Sequence, residues 1–161
     1  MAINYAPKVG ELLECDFGDF KRDAAGLIDT NNFNGRIPPE MVKKRLVVIL
    51  NGKLNGACLI VPISSTQDIG KITQQLHIEL ESKLIAETDF YDKRVRWAKA
   101  DLIQQVSRDR LNRVRDKRGF ITQILPREVV EKIQRGVIRA ISASSLIPQP
   151  VVDKPATLTQ N

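Results

Sequence analysis

Histidine is nearly absent from this chain: His77 is the only one in 161 residues, and cysteine occurs twice, at Cys15 and Cys58. One imidazole and two thiols cannot complete a zinc site without carboxylates or a second chain. Two cysteines also exclude a disulfide framework and fit a reducing compartment. There is no Gly-rich phosphate loop, no Cys/His dyad and no Ser-centred nucleophile elbow. No apolar stretch approaches the ~20 residues of a membrane helix. Met1–Gly10 lacks the charged-then-apolar order of a secretory leader. A cytoplasmic protein without metal or cofactor is expected. Any bond-breaking it performs must manage largely without histidine, the commonest general base.

Apolar residues make up 42% of the chain and charged residues 27%, enough for a packed core. The length fits one domain, expected over residues 1–147, with a flexible proline-containing tail over 148–161. The net charge of +6 is concentrated: Asp92–Arg118 holds ten Lys/Arg against four Asp/Glu, and the remainder balances. Such a segment attracts polyanions, RNA or DNA foremost, unless it is simply a solvated basic face.

Alternation predicts a half-buried strand within Val9–Phe17, where Leu13, Cys15 and Phe17 alternate with Glu14 and Asp16. Gly18–Gly35 is rich in Gly, Asp and Asn and reads as a mobile loop, extended to residue 44 by Ile37-Pro38-Pro39 and a turn of helix over Glu40–Lys44. Arg45–Leu50 and Ala57–Ile63 are apolar runs flanking Asn51-Gly52 and Asn55-Gly56, which predicts a hairpin. Leu76–Leu80, Arg94–Ile103 and Gly119–Ile124 read as further strands, with Trp97, Lys99 and Asp101 on one side and Arg96 on the other. Pro126 opens a helix in which Val129, Ile133 and Val137 form a stripe, with Val130, Ile138 and Ile141 beside it. Many short strands followed by a helix predict a mainly β (α+β) fold: a small, strongly bent antiparallel sheet or barrel.

Polar groups at strand ends carry what chemistry there is. Arg45 stands where Lys43-Lys44-Arg45 meets a buried strand; it can clamp a phosphate or merely cap a sheet edge. Ser64-Ser65-Thr66 puts three hydroxyls where a buried strand surfaces, as phosphate donors or as a plain turn. Lys99 and Asp101 beside Trp97 form either an ordinary ion pair or a nucleotide site with the ring stacking a base. His77 reads as structural, at a surface or half-buried position.

These motifs have a familiar order: Gly10-Glu11, then Pro39–Ile49 (PEMVKKRLVVI), then Leu59–Ser65 (LIVPISS), then Trp97–Asp101 (WAKAD) and Val106–Leu111 (VSRDRL). From Gly10 to Ile141 the chain resembles the MazF/PemK (Kid) toxins of bacterial toxin–antitoxin modules. The resemblance implies a compact SH3-like barrel with a C-terminal helix, working as a homodimer. It implies a metal-independent, ribosome-independent endoribonuclease acting on single-stranded mRNA, and an acidic antitoxin as partner. By position it carries catalytic roles to Arg45, Ser64, Lys99 and Asp101. Attack by the RNA's own 2′-hydroxyl would explain a site poor in histidine. Arg45 would then stabilise phosphate charge and serve proton transfer to the leaving oxygen, Ser64 hold a non-bridging oxygen, Asp101 act as base and Lys99 as a second clamp. Lys43, Lys44, Ser65, Thr66, Arg96 and Trp97 would bind RNA around them. The chain departs from the family pattern at Leu46 (proline there), at Ser64 (threonine), at Lys99 (arginine) and in the long loop before Lys44. A gyrase-binding toxin like CcdB and a non-catalytic nucleic-acid-binding barrel are the alternative readings.

Overall fold

The computed structural model describes residues 1–150, so most of the tail expected to be flexible lies outside the described residues. Five strands build the centre: β1 (Leu12–Asp16), β2 (Lys44–Leu54), β3 (Ala57–Ser64), β4 (His77–Leu80) and β5 (Arg96–Lys99). A short helix, α1 (Ile69–Thr73), lies between β3 and β4. With β6 (Gln104–Ser107) and β7 (Leu111–Asn112) they form one antiparallel sheet of order β4-β5-β3-β2-β1-β7, β6 pairing with β3. β3 therefore has two partners along one edge: its first half pairs with β6 and its last two residues with β5. A strand that splits its partners this way bends the sheet around itself. A separate hairpin, β8 (Val114–Asp116) and β9 (Gly119–Ile121), leads to the helix α2 (Arg127–Ala140). The expected bent antiparallel sheet with a C-terminal helix is what is found.

The β2–β3 hairpin turns at Asn55-Gly56, while Asn51-Gly52 lies inside β2. Pairing starts as Leu54↔Ala57, slips to Asn51↔Leu59 and slips again to Ile49↔Ile60, continuing to Val47↔Pro62. An unbroken ladder from the turn would have set Ser64 against Val47. The two bulges shift the register by two residues, so that the ladder, continued past Val47↔Pro62, leads Ser64 toward Arg45. Gly52 sits within the bulged stretch because a Cβ there would come within 2.1 Å of the Pro7 carbonyl oxygen.

Alternate residues of β1–β3 feed two apolar clusters. Leu12, Leu46, Val48, Val61 and Ile63 join Val130 and Ile133 of α2, while Leu13, Cys15, Val47, Ile49, Cys58 and Ile60 join Ile3, Phe17, Val106 and Leu111. The α2 stripe buries Val130, Ile133 and Gly136, whereas Ile141, expected beside it, is 64% exposed just past the helix. Gly136 permits close docking: a Cβ there would lie 2.7 Å from Ile78 Cδ1 and 2.9 Å from Ala100 Cβ.

Three expectations are corrected. The segment Arg94–Ile103 is not one strand: β5 ends at Lys99 and a 3-10 turn, Ala100–Leu102, follows. Lys99 and Asp101 consequently do not project from neighbouring positions of one ladder. Glu40–Lys44 forms no helix, and Lys44 already begins β2. The loop over 18–44 is built rather than featureless: Lys43 N–H donates to Gly18 O at 2.7 Å and Phe17 N–H to Lys43 O at 3.1 Å, closing its base. Arg36 Nε donates to Phe17 O at 2.8 Å, and Asp23 and Asp29 carboxylates cap turns inside the loop.

Candidate functional site

Register brings the polar strand ends together. β3 pairs Ser64 with Trp97, and β4 pairs Glu79 with Trp97 and His77 with Lys99. Continuing the Val47↔Pro62 ladder two residues sets Arg45 opposite Ser64. Directly opposed residues of antiparallel strands share a face. Arg45, Ser64, Trp97 and Glu79 thus form one row across four strands, and Lys99 and His77 stand in the next row on the same face.

Arg45 is exposed and donates Nε to Val42 O at 3.3 Å, which turns its guanidinium back over the strand entrance. Ser64 Oγ accepts the Thr66 N–H at 3.1 Å, so its own proton is free to donate outward. Lys43, Lys44, Ser65 and Thr66 are all exposed around this pair. Nearby, burial pushes the Tyr91 hydroxyl up, with the Glu14 carboxylate adding to it and the Arg96 and Arg45 charges opposing.

Asp101 is fixed by two partners that sequence reading did not supply. His77 Nε2 lies 2.9 Å from Oδ1 and Lys71 Nζ 3.2 Å from Oδ2, with the carboxylate side chain 18% exposed. Lys71 comes from α1, whose first turn is capped by Asp68 accepting the Lys71 N–H at 3.0 Å. That bond is the largest of the effects that lower the Asp68 carboxyl below its usual range. His77 is buried, 6% exposed, not at a surface or half-buried position, and its Nδ1 has no protein partner. The far side of Asp101 opens on a groove of about 260 Å³ between the 3-10 turn and Pro39–Met41 of the long loop.

Two residues expected to touch RNA do other work. Arg96 points to the opposite face: it is 8% exposed, bonds Asp92 Oδ1 at 3.0 Å and stands 5.6 Å over the Tyr91 ring. Trp97 lies in the shared row but is itself 8% exposed, so little ring is free to stack. The basic run is also partly consumed internally, with Arg108 donating to Gly52 O at 3.4 Å and Arg110 to Asp16 O at 2.9 Å. Among the described residues no three His, Cys, Asp or Glu side chains gather as metal ligands. The arrangement is suited to an anion: a guanidinium, a free hydroxyl proton and an ammonium on one face, with an oriented carboxylate at its end.

The sequence and the fold have known relatives. A family model described as "PemK-like, MazF-like toxin of type II toxin-antitoxin system" matches residues 25–141. The Escherichia coli K12 protein YifN is 55% identical over 148 residues, covering 91% of this chain and 99% of the relative. An uncharacterized protein of Haemophilus influenzae is 56% identical over 143 residues, covering 89% and 95%. Among solved structures, MazF from Deinococcus radiodurans superposes with a TM-score of 0.53 at 14% identity, covering 86% of this chain and 99% of that one. It shares the fold.

Proposed function

The chain belongs to the PemK-like, MazF-like toxin family of type II toxin–antitoxin systems, and on that premise we propose that it is an endoribonuclease of single-stranded RNA. The observation that supports this reading is the register: the β2–β3 ladder runs to Val47↔Pro62, so Arg45 and Ser64 continue from its end on one face, and Ser64 pairs with Trp97, two residues before Lys99. The substrate's 2′-hydroxyl is the nucleophile; it gives its proton to Asp101 and attacks the adjacent phosphorus. The bond to the 5′-oxygen breaks, leaving a 2′,3′-cyclic phosphate and a 5′-hydroxyl. Arg45 acts as a charge clamp, and the departing oxygen takes its proton from solvent. Ser64 donates to a non-bridging oxygen and Lys99 neutralises the second. Lys71 and His77, which contact its two oxygens, orient Asp101 for that role.

A homodimer and an acidic antitoxin complete the reading. Exposed Lys43, Lys44 and Arg45 suit a flexible acidic segment that folds as it binds. No described helix is long and apolar enough to cross a membrane, in keeping with a cytoplasmic toxin. The test is purified protein with naked RNA in chelator, alongside the same RNA carrying a 2′-deoxy sugar at the mapped cut. The unmodified RNA is expected to be cut and the deoxy RNA to survive. Arg45→Ala should lose about 10²–10³-fold in rate with an unchanged melting temperature. Cutting of the deoxy RNA refutes the mechanism, and intact RNA in every lane refutes the nuclease.

A further inference from the structure

The end of the basic run lies outside the proposed reaction face, on the β8–β9 hairpin. Arg115 and Phe120 oppose one another across it, and Arg113, two residues earlier, lies toward the same ring. The guanidinium carbons of Arg113 and Arg115 stand 4.7 and 5.0 Å from the Phe120 centroid, yet Phe120 is 53% exposed. Neither arginine has an ion-pair partner among the described residues; Arg113 donates to Thr122 Oγ1 at 3.1 Å. Two unpaired like charges gathered on one solvent-facing ring bring folding little, which directs attention to a ligand. Arg113 also walls a pocket of about 300 Å³ with Tyr5, Lys8, Thr122 and Ile124. At its base buried Glu11 accepts the Tyr5 hydroxyl at 2.5 Å and the Lys8 N–H at 2.9 Å.

We propose that this hairpin is a second grip for single-stranded RNA, separate from the reaction face. One unpaired base stacks on the Arg113–Phe120–Arg115 ladder, a neighbouring base enters the Tyr5–Arg113 pocket, and phosphates lie along Arg115 and Arg118. Planar bases use both a ring and guanidinium planes, whereas the carboxylates of an acidic protein need only the guanidinium edges. Lys117 at the hairpin turn reaches Asp89 Oδ1 at 3.6 Å, and Asp89 lines with Glu87, Asp92, Arg94 and Arg96 a cleft of about 420 Å³ whose three carboxylates set it apart from the hairpin's cationic surface.

The inference rests on the RNA reading above, and its test separates the two. Fluorescence anisotropy with a labelled, uncleavable 2′-O-methyl oligonucleotide of about 16 nucleotides reads binding alone. Phe120→Ala should weaken it about 5- to 100-fold, and Phe120→Trp should restore it. Arg115→Gln should lower the slope of log affinity against log salt by about 0.7. Binding that depends on Phe120 in a protein that cuts nothing upholds the grip and removes the nuclease. Cutting of RNA with wild-type binding in both Phe120→Ala and Phe120→Leu overturns the grip and leaves the nuclease. Loss of poly-glutamate binding in these variants, with oligonucleotide binding intact, also overturns it.

Discussion

The same three strands, β1, β2 and β3, line two faces that are finished in different ways. One is closed by a regular helix: α2 lays Val130 and Ile133 onto Leu12, Val48 and Val61, and every strand position there is apolar until Glu14 meets Tyr91. The other is covered piecemeal by the N-terminal segment, β6, β7 and Met41 of the long loop. Where that patchwork stops, the row Arg45–Ser64 is left open to solvent. A helix seals a sheet over its whole length, whereas irregular chain seals it up to a point of choice. The proposed reaction face lies at the unsealed end.

Ile133→Ala tests the sealed face with the largest expected cost, about 2–5 kcal/mol in denaturant unfolding, since the side chain is 0% exposed. Because Ile133 lies across the sheet from Arg45, RNA cleavage by the folded fraction should persist; loss of both at once would mean the faces are not independent. The patchwork face has its own signature in alkali. Burial pushes the Cys15 thiol from 9.0 up to about 12, and burial with the Glu11 hydrogen bond pushes the Tyr5 hydroxyl from 10.0 up to about 12. Both groups hold their protons more tightly when folded, so their stabilisation is whole below pH 9 and is lost as pH climbs toward 12. Melting temperature should be flat from pH 7 to pH 9 as far as these groups control it, then fall, and Cys15→Ala should soften the start of the fall. The smallest effect is at Asp68→Ala, which removes the cap of α1 and should lower the melting temperature only slightly. If cleavage drops there as well, the orientation of Lys71 toward Asp101 matters to the reaction.

Strand positions and the final helix were legible because β-branched runs, period-two alternation and the Pro126 start are local signals. The break after Lys99 was not: Ala100–Leu102 turns without Gly or Pro, and its apolar pattern continues the strand's own. Arg45 and Ser64 were each recognisable as strand-end groups, but the β2–β3 register that brings their strand ends together depends on two bulges that no alternation encodes. Arg96 was placed on the correct side, opposite Trp97, yet its charge suggested solvent; only the packing of Tyr91 and Asp92 explains its burial. The His77–Asp101 bond joins residues 24 apart, beyond any window in which periodicity speaks.

The missing side chain at Gly136 has a consequence for the far end of β5. A methyl there would press on Ile78 and Ala100, and Ala100 is the first residue of the turn that carries Asp101. Thickening the helix by one carbon would wedge that turn away from its sheet and swing the carboxylate off its mark. A change at the back of the molecule would then read, in the proposed RNA-cleavage assay, as lost cutting by a nearly intact protein.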